Sequence, residues 1–143
     1  MAPRLPWYAE VSAALERTWR DPPGLIGALC ALDHKTIGKC YIVTAFAFFI
    51  AAGILAALMR AQLARPENTL LGPDLYNQLF TTHGTAMMFL FAVPVMQGMA
   101  VYLVPLMVGA RAIAFPRMTA FSYWVYLFGG LFLFLALLID TGP

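Results

Sequence analysis

Apolar positions fill three long stretches that carry no formal charge: Tyr41 to Met59, Gln78 to Val108, and Thr119 to Ile139. Each supplies about the 20 residues a helix needs to cross roughly 30 Å of hydrocarbon. Polar residues punctuate them: Arg60 closes the first, Arg111 and Arg117 separate the second from the third, and Asp140 follows the third. The pattern predicts three membrane-spanning helices. Pro94 and Pro105 fall inside the second stretch. Proline lacks an N–H and its ring crowds the carbonyl four residues back, so a kinked or tilted helix is expected there. Ahead of the first span, Val11, Ala14, Leu15 and Trp19 recur at helical spacing between Trp7 and Arg20. Asp21-Pro22-Pro23-Gly24 ends that segment, which reads as a surface helix or an unstructured arm at the membrane face. The fold class is all-α, a transmembrane helical bundle, with residues 1–32 as an extension and 33–143 as the membrane part.

Composition strengthens this reading. The 143 residues are 62% hydrophobic and 11% charged, with a mean hydropathy of +0.76. A soluble domain could not hide so much apolar surface. The net charge of +2 is scattered, which leaves no basic face for nucleic acid. Arg4, Arg17, Arg20, Lys35, Lys39, Arg111 and Arg117 fall on one side of the predicted spans, against Arg60 and Arg65 on the other; these seven and two make up the chain's 9 basic residues. By the positive-inside rule the N-terminus and the 109–118 loop are cytoplasmic, and the 60–77 loop faces outward. Cys30 and Cys40 match neither a CxxC nor a zinc spacing and read as apolar packing. The first residues lack the apolar core of a secretory signal, and Asp140-Thr141-Gly142-Pro143 reads as a turn at which a longer chain was cut.

One residue stands out chemically. His83 lies in "NQLFTTHGTAMMFLF", about two turns inside the outer end of the second span. Ionisable groups within a span are rare and face a bundle interior, a relay or a cofactor. No second metal ligand or carboxylate stands at helical spacing from His83, which argues against a zinc or two-histidine copper site. Small Gly84, Thr85 and Ala86 would let a flat macrocycle approach, with Phe80 and Met87 as apolar walls. Haem ligation, an interhelical hydrogen bond and a proton relay all remain open on this local pattern.

From Asp33 onward the chain resembles subunit I of the haem-copper terminal oxidases, the aa3-type cytochrome c oxidases in particular. The resemblance is carried by "DHKTIG" (33–38), "LMRAQL" (58–63), "PEN" (66–68), "YNQLFTTHG" (76–84), "YLVPLMVGAR" (102–111) and "AFPRMTAFSYW" (114–124). It implies the first three of that subunit's twelve helices, in a bacterial cytoplasmic membrane. His83 would be one axial ligand, and so the metal-binding residue, of a low-spin haem, with haem a the expected type. Its opposite ligand, the copper and the second haem would be held by later helices. Arg60 would contact a polar substituent of the low-spin haem, where without the resemblance it reads as a cation snorkelling from a helix end. Implied partners are the rest of subunit I, the other oxidase subunits, membrane lipid and cytochrome c as donor. The implied reaction, reduction of oxygen to water, belongs to the full subunit and not to this segment alone. A quinol oxidase or nitric oxide reductase of the same superfamily, or a haem-free transporter or assembly protein, are the rival readings.

The family pattern breaks in two places. Gln62 stands where relatives carry the acidic ligand of an outer-face ion, so no metal site is expected from Gln62 and Glu67. The aspartate that opens a proton-uptake route in pumping relatives is replaced by Ala112, and two asparagines of that route by Val101 and Thr119. Alanine and valine neither carry a proton nor order water. Among the remaining residues, Tyr123, Trp124, Tyr126 and Phe128 read as interface belt and helix packing. His34 reads as a surface contact at the inner edge, and Gly129-Gly130 as a site of close helix approach.

Overall fold

The structure, a computed structural model, describes residues 7–19, 24, 27 and 31–139. The chain divides into two units, Met1–Ala31 and Leu32–Pro143. The first contains α1, Trp7–Trp19, where the sequence spacing predicts a helix. The predicted stop at 21–23, Cys30, and Asp140 with the turn after it lie outside the described residues.

In the second unit α2 runs from His34 to Gln62, seven residues earlier and three later than the uncharged stretch alone would give. Lys35, Lys39 and Arg60 join the helix because a long cationic stem can reach the headgroups from a helical backbone. The chain then turns through 63–72 into α3, Pro73–Thr85. Pro73 starts that helix where a missing N–H costs nothing, and Asp74 in its first turn faces the positive end of the dipole. After α3 comes a π-helical stretch, Ala86–Ala92, and then α4, Val93–Met107. Together they form one continuous helical run, Pro73–Met107. The disturbance expected at Pro94 therefore lies in the turns before it, where the ladder has slipped to five-residue spacing, as in Val93 N–H to the Met88 carbonyl. Pro105 sits inside α4 two residues before its end. Gly109, at φ +70°, terminates α4, and the Ala110 N–H reaches back to the Pro105 carbonyl at 2.8 Å. That bond is the Schellman closure a left-handed residue permits. The last helix, α5, spans Pro116–Leu138. Three helical runs, His34–Gln62, Pro73–Met107 and Pro116–Leu138, are long and apolar enough to cross a membrane.

Helix α2 is the common partner. Its first half packs on α4, its second half on α3, and α5 lies along both. Ile37 and Tyr41 meet Val101 and Tyr123; Phe48 and Ala52 meet Ala86 and Leu90; Leu55 and Met59 meet Leu79. The α2–α4 crossing is a glycine-on-glycine contact. A Cβ on Gly38 would stand 2.8 Å from the Gly98 carbonyl oxygen, and one on Gly98 would stand 2.9 Å from the Gly38 oxygen. In lipid, where apolar surface gains nothing by leaving the solvent, such close backbone approach is a main source of helix association. On α5, Gly130 receives the Phe48 ring, whereas Gly129 faces open space, so only one glycine of the pair makes the predicted approach.

The aromatic residues of α5 are not all belt. Tyr123 is buried, and Tyr126 is half-buried. Tyr41 stacks on Tyr126 and meets Tyr123 edge-on, both at 5.3 Å between centroids. Their hydroxyls hold helices together, because an unpartnered phenol in hydrocarbon is costly. Thr44 pairs with the Tyr123 hydroxyl at 2.9 Å. The Tyr126 hydroxyl donates to the Leu90 carbonyl at 2.8 Å. Leu90 lies four residues before Pro94, the position that the proline cannot serve with an N–H. His34 also departs from expectation: it is buried, 3% exposed, at the start of α2. Cys40 packs beside Ile37 and Tyr41, as its apolar reading predicts.

Candidate haem-ligand site

His83 stands on α3 one residue after fully buried Thr82, at the edge of the face that meets α2. Its Nδ1 lies 2.9 Å from the backbone oxygen of Ala52 on α2. A carbonyl can only accept, so Nδ1 carries the proton and donates it. In the neutral ring this fixes the tautomer and leaves the lone pair on Nε2. A side-chain acceptor at Ala52 is unnecessary, and a larger side chain is excluded there: Ala52 is 0% exposed and wedged against Phe48, Ala86 and Leu90. Metal-bound histidines are commonly oriented in this way, with the second ring nitrogen bonded to a carbonyl that sets tautomer and basicity. The interhelical hydrogen bond and haem ligation, rivals in the sequence, would thus use different nitrogens of one ring.

The surroundings suit a flat group in part. Gly84 is exposed, and a Cβ there would meet nothing within 4 Å, as would one on Gly53 of α2. Phe80, one turn before Gly84 on α3, is 65% exposed. Ala86 and Met87 do not line this space as expected from sequence. Ala86 is fully buried between α2 and α5, and Met87 packs on the same cluster.

Arg60 lies eight residues beyond Ala52 on α2, about 12 Å further along the axis at helical rise. It is exposed and seven residues from Gly53, which puts the two on nearly one helix face. The structure does not bring Arg60 to His83. It places Arg60 toward the C-terminal end of α2, on the face where Gly53 leaves open space.

Gln62 closes the 63–72 loop. Its amide donates to the Asn68 carbonyl, and its oxygen accepts from the Leu71 N–H at 2.8 Å. Asn68 in turn donates to the Ala61 carbonyl at 3.1 Å. A carboxylate at position 62 could accept from Leu71 but could not donate to Asn68. The loop borders an open cavity of about 540 Å³ lined by Gln62, Asn68, Tyr76 and Asn77 among others.

On the opposite, N-terminal side of α2, the positions that break the family pattern are accounted for. Val101 is 5% exposed and packs against Ile37, Tyr41 and Tyr123. The Thr119 hydroxyl bonds its own helix, to the Phe115 carbonyl at 3.1 Å. Ser122 donates to the Thr119 carbonyl at 2.7 Å, so the Tyr41 hydroxyl 2.9 Å away must be the donor of their pair. Each hydroxyl proton here is committed. Ala112 is exposed in the 108–115 loop.

Residues 36–143 match the protein family described as cytochrome c and quinol oxidase polypeptide I. The chain belongs to this family. It is 43% identical over 135 residues to a putative cytochrome c oxidase subunit 1-beta of Streptomyces avermitilis, covering 94% of this chain and 24% of that protein. A heme-copper oxidase subunit I+III of Aeropyrum pernix is 48% identical over 110 residues, 77% of this chain and 14% of its own length. Cytochrome c oxidase subunit 1 of Bacillus subtilis is 42% identical over 115 residues, 80% of this chain and 18% of the other. The chain therefore spans about a quarter or less of the curated relatives it matches. The family membership covers the spans that carry His83 and Arg60.

Proposed function

We propose that this chain forms the first three spans of the catalytic subunit of a respiratory haem-copper oxidase. The full subunit would reduce oxygen to water with electrons from cytochrome c, in a bacterial cytoplasmic membrane and with the other oxidase subunits. This segment would serve electron input. The observation that carries the reading is the His83 Nδ1–H bond to the Ala52 carbonyl, which leaves Nε2 as a lone-pair donor within the bilayer. A low-spin haem bound there, between His83 and a histidine from a later helix, would pass single electrons without an open coordination site for oxygen.

The chain's own residues would divide the work. His83 would ligate through Nε2, and Ala52 would hold the ring in its tautomer through its backbone oxygen. Gly84 and Gly53 would leave the backbone accessible to a planar group. Arg60, which makes no ion pair or hydrogen bond among the described residues, would present its guanidinium to a polar substituent, the formyl group if the haem is of type a. A fixed cation at that edge favours the reduced, more electron-rich state and raises the potential. Proton uptake by way of the 108–115 loop is not part of the proposal, since Ala112 and Val101 offer no proton-carrying group and Thr119 spends its hydroxyl on Phe115.

A reduced-minus-oxidised spectrum of the assembled oxidase tests this. The wild type should show a low-spin haem band that His83→Ala abolishes while the high-spin haem band persists. Retention of the low-spin band in that variant would overturn the ligand assignment.

A further inference from the structure

The haem reading makes no use of α1, and the character of that helix suggests a second site of interaction. Along Trp7–Trp19 the large apolar residues Trp7, Val11 and Leu15 follow each other at four-residue intervals, with Tyr8 beside them. All four face outward: Trp7 is 75% exposed, Tyr8 63%, Val11 49% and Leu15 54%. The half-buried residues are instead the small Ala9 and Ala13. The usual order of burial is thus inverted, with bulky side chains bare and methyl groups covered. In sequence register Trp19 continues the apolar row, while Glu10, Glu16 and Arg17 fall on the remaining arc.

We propose that α1 lies flat on the lipid headgroup surface on the side from which α2 enters the membrane, with Trp7, Tyr8, Val11 and Leu15 inserted at the acyl boundary. Three observations favour lipid over a protein partner. The exposed row is led by Trp and Tyr, whose apolar rings with polar tips partition to the headgroup zone. Only residues 20–33 separate α1 from α2, so α1 cannot stray more than about 50 Å from the first span however that segment runs. Around the connection Arg17, Arg20, Lys35 and Lys39 stand against Glu16, Asp21 and Asp33, an excess of one positive charge (four minus three) that complements anionic phospholipid. The excess is small. Apolar insertion therefore carries the attachment, and added salt should weaken it little.

The test uses the full chain in vesicles of phosphatidylethanolamine and phosphatidylglycerol, with Trp19→Phe and Trp124→Phe so that Trp7 is the sole indole. Lipids brominated near the headgroup end of their acyl chains should quench Trp7 strongly, and aqueous iodide should hardly do so. Adding Val11→Glu and Leu15→Glu should reverse the two responses, and the three spans should keep the chain in the membrane. Quenching of Trp7 by iodide and not by brominated lipid would overturn the proposal. Protection from both quenchers would overturn it too, by showing that protein covers this face.

Discussion

His83 has one ring and two demands on it. The bond to Ala52 answers the demand of the bilayer, because a polar ring in hydrocarbon needs a partner. It also selects which nitrogen stays basic. From sequence the histidine was legible as functional, but the choice between hydrogen bond and metal ligand was not. Spacing within one helix says nothing about a carbonyl on another. Ala86 and Met87 were misread for the same reason: they are near His83 in register, yet α2 and α5 cover them. Arg60 gives the sharper residue-level prediction. Arg60→Met should shift the low-spin haem band to the blue and lower its midpoint potential in a redox titration, because the guanidinium that favours the reduced ring is gone. An unchanged band and midpoint would remove Arg60 from the site.

The elements themselves were largely readable. Three uncharged runs gave three spans, since only a helix satisfies its own backbone in lipid, and four-residue spacing gave α1. What escaped was how the helices touch. Gly38 and Gly98 are sixty residues apart, and nothing in either neighbourhood announces that they meet. The hydroxyls of Tyr123 and Tyr126 similarly looked like belt until α2 and the π-helical stretch supplied partners. The two glycine contacts should differ in tolerance. Gly98→Ala would drive a methyl against the Gly38 carbonyl, Tyr41 and Ile42, whereas Gly130→Ala would meet only the Phe48 ring, the end of a side chain rather than backbone. Gly98→Ala should destabilise by about 1–3 kcal/mol, visible as a lower thermal inactivation temperature of the assembled enzyme, and Gly130→Ala by less. Equal tolerance at both positions would contradict the crossing.

For the molecule as a whole, membership of the oxidase family rests on residues 36–143, which in the proposed reading would hold one side of a two-sided haem site. Toward the N-terminal end of α2, Val101 is packed and the Thr119 and Ser122 hydroxyls are bonded within their own helix, which bears on how the proposed enzyme would move protons. Ala112→Asp should leave the proton-pumping stoichiometry of reconstituted vesicles unchanged, because restoring an entrance does not reopen a path past Val101 and Thr119. A rise in stoichiometry, or loss of pumping on blocking the 108–115 loop of the unmodified enzyme, would show that protons enter here.

Every part of this account returns to the lone pair left free on the His83 ring. The decisive measurement is a density map of the complete, cofactor-loaded oxidase at a resolution that separates the ring nitrogens. It should reveal Nδ1 against the Ala52 oxygen and a porphyrin iron on Nε2. A neighbouring side chain at that nitrogen, with no porphyrin beside it, would contradict the account.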